Sequence, residues 1–322
     1  MSKDSSILLV GLGAIGSVML ARFNKKKYTV TCLSTEKGTK LIQNQGLSVK
    51  LADEEIPQLQ NCEIYSILPE DMEFDICIIT AKSWANREIV EEIGSNLSFN
   101  SSILLFQNGI KIEEPFLKND NQFIVTRALT SLAAIREKEN LAVEANIGET
   151  RIGGVNHQND QVIKFWNNIL TDIGLNIKIS NDILKDIWLK SIVNCAVLPL
   201  GAITGLKNGE IIQDRILNTI IHNIIYEILT TIKDEIAITF DEAYDLVDAI
   251  VKQTSDHKCS MLQDIEKGVK TEIDTLNRKI VEIGREKNIA TPINRKLTEI
   301  IKQMSEESMP RELAIIELRT LT

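Results

Sequence analysis

The chain is poor in the residues that build metal, disulfide and basic-surface chemistry. Histidine occurs three times in 322 residues, at His157, His222 and His257, without ligand spacing. Metal-dependent and histidine-triad chemistries are therefore not expected. The five cysteines (Cys32, Cys62, Cys77, Cys195, Cys259) are odd in number and scattered, with no Cys-x-x-Cys pair. That pattern excludes a disulfide scaffold and argues against a zinc site. Positive charge is also short: 36 Lys and Arg against 45 Asp and Glu leave a formal net charge of −9. A general nucleic-acid binder, which must present cations to phosphates, is not expected. Long apolar runs are missing too. The first, residues 7–10, is too short for the core of a signal peptide. The Ile-rich stretch 211–238 is interrupted by Asp214, Arg215, Glu227, Lys233, Asp234 and Glu235. No run reaches the roughly 18 apolar residues of a membrane helix. These absences predict a soluble protein of the reducing cytoplasm, with neither nucleic acid nor membrane as partner.

What is present suits about two domains of ordinary size. The hydrophobic share of 43% lets either half bury a core. The first half alternates short apolar runs with longer amphipathic segments. Residues 7–11, 28–33, 74–80, 102–106 and 123–126 read as strands, and 14–23, 35–44 and 86–93 as helices. Continuous rather than alternating apolar strands, separated by helices, predict a parallel sheet covered on both faces. Segments 130–135, 141–144 and 149–152 read as short antiparallel strands extending that sheet at its edge. From about residue 182 the pattern is helix after helix: 183–198, 211–235, 241–253, 271–287 and 295–304. Pro199 and Gly201 are expected to end the first of these, leaving 201–209 as a loop. The expected fold is α/β, with residues 1–182 forming a dinucleotide-binding domain of Rossmann type and 183–322 an all-helical domain. Helix 211–235 carries more apolar residues than one face needs. That excess suits either a homodimer interface or the buried centre of the domain.

Gly11-Leu12-Gly13-Ala14-Ile15-Gly16 fits G-x-G-x-x-G, between an apolar strand and a helix, with a second strand beginning at residue 28. Gly11 permits the tight turn. Gly13 lets the backbone approach a pyrophosphate, and Gly16 lets helix pack close to sheet. The phosphates would lie on free N–H groups of the helix N-terminus, with Leu12, Ala14 and Ile15 in the same turn. At the tip of the second strand Ser34 and Thr35 stand where an NAD site usually has an acid for the ribose 2′-hydroxyl. A 2′-phosphate there could accept from the hydroxyls and from Lys37. NADPH is the expected cofactor and NADH the alternative, since Glu36 is close by and Ser-Thr-Glu also reads as a helix cap.

Four further stretches complete the pattern. They are Thr80-Ala81-Lys82-Ser83-Trp84, Gln107-Asn108-Gly109, Trp188-Leu189-Lys190-Ser191-Ile192-Val193-Asn194-Cys195, and Ser260-Met261-Leu262-Gln263-Asp264 with Thr271-Glu272-Ile273-Asp274. With the glycine turn, the chain resembles the ketopantoate reductase (2-dehydropantoate 2-reductase) family. The resemblance implies NADPH-dependent reduction of a small 2-oxo acid. Lys190 and Asn194 are four residues apart and so share one helix face, which is expected to line an interdomain cleft. Reducing a ketone needs a hydride on carbon and a proton on the developing alkoxide. No histidine occurs in these stretches, so Lys190 is the best available general acid, and its charge would also stabilise the alkoxide. The family implies that Glu272 works with the lysine and the substrate hydroxyl, and that Asn194, Asn108 and Ser260 contact substrate, Asn108 also lying beside the nicotinamide. Glu272 also reads as an acid at a helix start. Lys82 follows a strand's C-terminal end, where ligands bind in open α/β sheets.

Two departures concern the substrate. Many family members carry a second asparagine where this chain has Leu198, and the glutamate stretch usually continues to Asn-Gly where this chain has Asn277-Arg278. Leu198 removes a polar contact and suits a branched apolar 2-oxo acid better than a hydroxylated one. Three readings follow: a ketopantoate reductase serving pantothenate and coenzyme A synthesis; a related D-2-hydroxyacid dehydrogenase for another branched or aromatic 2-oxo acid; and a non-catalytic dinucleotide sensor. The last ranks lowest because Lys190 and Glu272 are both present.

Overall fold

The computed structural model describes residues 6–52, 54–56, 59, 62–117, 123–156 and 160–321. Residues 1–5 and His157 lie outside them. The chain divides into two compact units, Met1–Gln107 with Ile112–Ile183, and Asn108–Lys111 with Leu184–Thr322.

In the first unit the order is β1 (Ile7–Val10), α1 (Ala14–Lys25), β2 (Val30–Leu33), α2 (Glu36–Gln45), β3 (Ser48–Lys50), β4 (Glu55–Ile56), β5 (Cys62–Tyr65), β6 (Phe74–Ile79), α3 (Asn86–Ile93), β7 (Leu97–Leu105), α4 (Glu114–Leu117), β8 (Ile124–Thr130), β9 (Ala133–Lys138), β10 (Leu141–Asn146), β11 (Glu149–Gly154), α5 (Asp160–Asp172) and β12 (Asn176–Ile179). The main sheet runs β12-β11-β8-β7-β6-β1-β2-β5. Strands β5, β2, β1, β6, β7 and β8 pair in parallel. All four residues of β1 are buried, because both faces of the sheet are covered. One face packs Leu9, Ile76 and Ile78 with Val18, Met19 and Trp166. The other packs Leu8, Val10, Cys77 and Ile79 with Ile89, Ile93 and Phe116. Chain order reverses at β1, between β2 and β6, which is the topological switch point where such sheets bind ligands.

The edge-strand expectation is corrected in part. Strand β11 does join the main sheet, antiparallel to β8. Strands β9 and β10 instead form a separate four-stranded sheet with β3 and β4. An ion pair anchors it: buried Arg22 on α1 meets Glu144 on β10 at 2.7 Å. Covered by sheets on two sides, α1 is buried continuously from Gly16 to Phe23.

The second unit contains α6 (Ile183–Thr204), α7 (Asn208–Gln213), α8 (Arg215–Ile232), α9 (Phe240–Gln253), α10 (Ser260–Glu266), α11 (Asn277–Glu286), α12 (Pro292–Ser305) and α13 (Arg311–Leu318). No strand occurs among its described residues. Three expectations are corrected. First, α6 continues through Pro199 to Thr204. A proline inside a helix cannot donate to the carbonyl four residues back, here Cys195. The amide of Asn277 takes that place, donating to the Cys195 oxygen at 3.0 Å. Second, the stretch 211–235 is broken at Asp214, whose carboxylate caps α8 by accepting from the Ile216 and Leu217 amides at 2.8 and 3.1 Å. The isoleucines of α8 (220, 221, 224, 225, 228, 232) are buried in the unit's own core. Third, 271–287 is not one helix: a 3-10 turn, Ile273–Thr275, precedes α11. Among the described residues one helix, α6, is long and apolar enough to cross a membrane by length and composition, and 72% of its apolar window is buried within the fold. Its apolarity is that of a core helix.

Candidate active site

The glycine turn has the form that nucleotide phosphates require. Gly11 adopts φ +94°, and an added Cβ would lie 2.5 Å from the Ala81 amide nitrogen. At Gly16 an added Cβ would collide with the Gly11 carbonyl and come within 2.5 Å of Thr80 Oγ1. These two glycines are therefore needed by the fold itself. Gly13 differs: it is exposed and a Cβ would meet nothing within 4 Å. Its missing side chain leaves open space in front of the α1 N-terminus, where no acidic residue stands in the first turn. Unpaired helix amides and the helix dipole make that space favourable for a diphosphate, so the residues fit the expected dinucleotide. At the tip of β2, Thr35 caps α2 through Oγ1, which accepts from the Gly38 amide at 3.2 Å. Lys37 is exposed and faces Glu139 at 3.4 Å.

The loops beyond β6 and β7 carry Lys82 and Asn108. Lys82 is exposed, just before a 3-10 turn at Ser83–Ala85. Both loops are held from below by a polar network that the sequence reading did not foresee. Gln107 and Asn86 exchange amide hydrogen bonds at 2.8 and 3.0 Å. Gln107 Nε2 also donates to the Ala81 carbonyl at 2.6 Å, and Asn86 Nδ2 to that of Ile112 at 2.9 Å. Arg127, 1% exposed, donates to the Gln107 carbonyl at 3.3 Å and pairs with Glu113 at 2.5 Å. Burial lowers the Arg127 pKa against the opposing charge of Glu113. The buried arginine ties β8 to the segment after β7. Isolated polar residues among apolar ones were the sequence signal, but their partners lie 14 to 26 positions away.

In the helical unit, Lys190, Asn194 and Leu198 are each half-buried, while Ile192, Val193, Cys195, Ala196 and Val197 are buried. At spacings of four they form one accessible stripe on an otherwise core helix. The stripe leads into a pocket of about 210 Å³ lined by Val193, Asn194, Val197, Leu198, Asn208, Ile250, Val251, Thr254, His257, Lys258, Cys259 and Ser260. The pocket thus gathers Asn194 and Ser260. It includes neither Lys190 nor Glu272 nor Asn108. Cys259 caps α10, its sulfur accepting from the Leu262 amide at 3.4 Å and donating to the Leu198 carbonyl at 3.3 Å. That thiol ties the start of α10 to the stripe.

Asn108 and Glu272 are in contact, the Asn108 amide donating to Glu272 Oε2 at 3.3 Å. The Ile110 amide donates to the Thr275 carbonyl at 2.9 Å and docks the same loop on the 3-10 turn. Glu272 therefore stands at the start of a short 3-10 turn, without a side-chain cap bond, rather than opening a long helix. Asp274 anchors the turn through Lys302 at 2.7 Å and Arg278 at 3.2 Å. Burial raises the Asp274 pKa, but Lys302 and Arg278 outweigh it and hold the carboxyl below its usual range. Arg278 is thus engaged with Asp274 and with Glu282 at 3.2 Å, and it does not line the pocket. Asn277 completes the arrangement. Besides capping Cys195, it donates to Asn294 Oδ1 at 3.0 Å, and Asn294 is held by the buried Glu227 at 2.8 Å. One side chain thus fastens the Glu272 segment to the Lys190 helix.

A doubly covered parallel sheet with a phosphate turn at its switch point, joined to a helical unit bearing a lysine–asparagine stripe, defines a dinucleotide-dependent oxidoreductase. Residues 7–157 match the family model described as Ketopantoate reductase PanE/ApbA, and residues 182–305 the one described as Ketopantoate reductase PanE/ApbA C terminal. The chain belongs to the ketopantoate reductase family. The 2-dehydropantoate 2-reductase of Archaeoglobus fulgidus is 27% identical over 306 residues, covering 92% of this chain and 96% of that protein. The Shigella flexneri protein of the same name is 29% identical over 307 residues, covering 94% and 95%. Among solved structures, a PanE/ApbA family ketopantoate reductase from Ralstonia eutropha JMP134 superposes with a TM-score of 0.82 at 21% identity, covering 94% of this chain and 99% of that one. D-mandelate dehydrogenase with NADH and anilino(oxo)acetate shares the fold at a TM-score of 0.84 and 21% identity, with the same coverage. The protein is an oxidoreductase that acts on a 2-oxo acid with a nicotinamide dinucleotide.

Proposed function

We propose that the protein reduces 2-dehydropantoate to (R)-pantoate with NADPH, in the cytoplasm, supplying pantothenate and coenzyme A synthesis. The observation that carries this reading is the stripe Lys190–Asn194–Leu198, of which Asn194 and Leu198 line a pocket that also contains Ser260. Residues 11–16 hold the diphosphate, and Ser34 and Lys37 favour a 2′-phosphate over a free ribose hydroxyl. The nicotinamide, when bound, supplies the hydride that reduces the substrate carbonyl carbon. Lys190 stabilises the developing alkoxide by charge and donates the proton that completes the alcohol. Glu272, oriented by Asn108, accepts from a substrate hydroxyl. Asn194 and Ser260 direct the remaining polar groups. The free cysteines, four of them buried, suit a reducing compartment.

The pocket walls favour a second reading as well. Val193, Val197, Leu198, Ile250 and Val251 are apolar, so a branched or aromatic side chain would bury well there, as in a D-2-hydroxyacid dehydrogenase. Cofactor oxidation with a panel of 2-oxo acids, run with NADPH and NADH, separates the two. The highest kcat/KM for 2-dehydropantoate with NADPH supports the first. A preference for an unhydroxylated branched or aromatic acid replaces it with the second.

A further inference from the structure

The glycine turn has a charged neighbour that none of its motifs contains. Arg136, on β9 of the small sheet, reaches α1 and donates through Nη2 to the Leu12 carbonyl, to Ser17 Oγ at 3.0 Å and to the Gly13 carbonyl at 3.5 Å. Its Nη1 donates to the Glu139 carbonyl at 3.0 Å. Every one of these acceptors is neutral. The two buried arginines of the same unit behave differently: Arg22 holds Glu144 at 2.7 Å and Arg127 holds Glu113 at 2.5 Å. Among the described residues no carboxylate pairs with Arg136. The nearby Glu139 carboxylate faces Lys37 instead.

This is an unusual place for an unbalanced cation. The N-terminus of a helix carries a partial positive charge, and α1 has no acid in its first turn to offset it. Half-buried, the guanidinium is also partly desolvated, which lowers its pKa. Both effects disfavour the free protein and are relieved by an anion. The guanidinium has the donors to meet one. Its Nε has no acceptor among the described residues and is not sealed from solvent, unlike Nε of Arg127. Nε is thus the donor left for an anion, and a charge-assisted bond to a phosphate oxygen is about twice as strong as one to a neutral acceptor.

We propose that Arg136 is a phosphate-recognition residue of the dinucleotide site, so that the small sheet takes part in cofactor binding. The inference rests on the reading of residues 11–16 as the nucleotide turn. The dinucleotide offers two phosphate sources: the diphosphate in front of Gly13, and the 2′-phosphate beside Ser34 and Lys37. Arg136 is bonded to the turn through Leu12 and Ser17 and to the backbone of Glu139, whose carboxylate meets Lys37, so either source is within the reach of the test.

Equilibrium titration of NADPH and NADH into the wild type, Arg136→Gln, Arg136→Lys and Gly13→Val tests it, with thermal melts of the cofactor-free proteins. Arg136→Gln should weaken NADPH by about ten- to a hundredfold, the scale of a lost charge-assisted hydrogen bond. Arg136→Lys should recover part of it. Equal weakening of NADPH and NADH assigns Arg136 to the diphosphate, and weakening of NADPH alone assigns it to the 2′-phosphate. Affinities within about threefold of wild type for both cofactors overturn the proposal. So does a loss that glutamine and lysine share equally, that ignores ionic strength and that tracks a lowered melting temperature, since Arg136 would then only staple the small sheet to α1. If Gly13→Val also binds normally, the nucleotide-turn reading itself has failed. If only Gly13→Val loses binding, Arg136 alone is excluded.

Discussion

The glycine turn and the lysine stripe are built in opposite ways for the ligands proposed to bind there. The turn is six consecutive residues that work through backbone amides, space and helix dipole. Two of its glycines are demanded by close packing against Ala81 and Thr80, and the third leaves room for a guest. The site proposed in the helical unit would work through side chains drawn from residues 108, 190, 194, 260 and 272, of which Asn194 and Ser260 share a pocket and Asn108 meets Glu272. It depends on supports that touch no ligand: Asn277 under Cys195, Cys259 against Leu198, and Asp274 under the Glu272 turn. A backbone site tolerates almost no change within its own residues and is indifferent to much beyond them. A side-chain site can be damaged from far away.

Substitutions that separate space from packing sharpen the comparison most. Gly13→Val should fold normally and lose measurable NADPH binding, because the side chain occupies the approach of the pyrophosphate. Gly16→Val should instead fail to fold stably, as a thermal melt would show. Normal stability there would contradict the packing assigned to it.

In the helical unit, Lys190→Ala should lower kcat by about 10² to 10⁴, the range of a lost general acid, with cofactor affinity barely changed. Lys190→Arg decides between proton donor and charge, since guanidinium keeps the charge but does not release a proton. Near-native kcat in that variant would reduce Lys190 to an electrostatic anchor.

Asn277→Leu removes the cap on the carbonyl that Pro199 leaves free. Stability should fall by about 1–3 kcal/mol, the cost of an unsatisfied buried polar group. The double variant with Pro199→Ala, which restores a helical amide, should recover part of it in a urea melt. No recovery would detach Asn277 from the proline.

The smallest effect expected is on pH dependence. The Asp274 carboxyl is held below its usual range in the folded protein. Its contribution to stability is complete above the unfolded value, about 3.9, and is lost as pH falls through the lower folded value. Asp274→Asn should flatten the acid limb of a stability-against-pH curve; an unchanged limb would leave the turn anchored by other contacts.

Local signals made the first unit readable. Apolar runs at 7–10, 76–79 and 103–105 read as strands buried on both faces, and Gly11, Gly13 and Gly16 mark the turn after the first of them. The helical unit was readable as helices but not in its breaks. Pro199 reads as a stop because the donor that serves the Cys195 carbonyl in its place, Asn277, stands 82 positions from that carbonyl. Asp214 reads in the sequence as one more charge interrupting an Ile-rich stretch, although its cap is local, made with the amides two and three residues on. The small sheet was misplaced because β3 pairs with β10 across more than 90 residues, and no short-range pattern records such a pairing.

What the sequence by itself determined is therefore the class of fold, the form of the glycine turn and the face of α6 that carries Lys190 and Asn194. These follow from residue type and spacings of a few positions, where chain geometry leaves little freedom. Only the tertiary structure decided which distant groups meet: Asn108 with Glu272, Asn277 with Cys195, and Arg136 with the glycine turn. Such contacts are selected by the packing of whole elements, in which every buried polar group must find its partner at once. That condition holds over the complete fold and is written in no single segment.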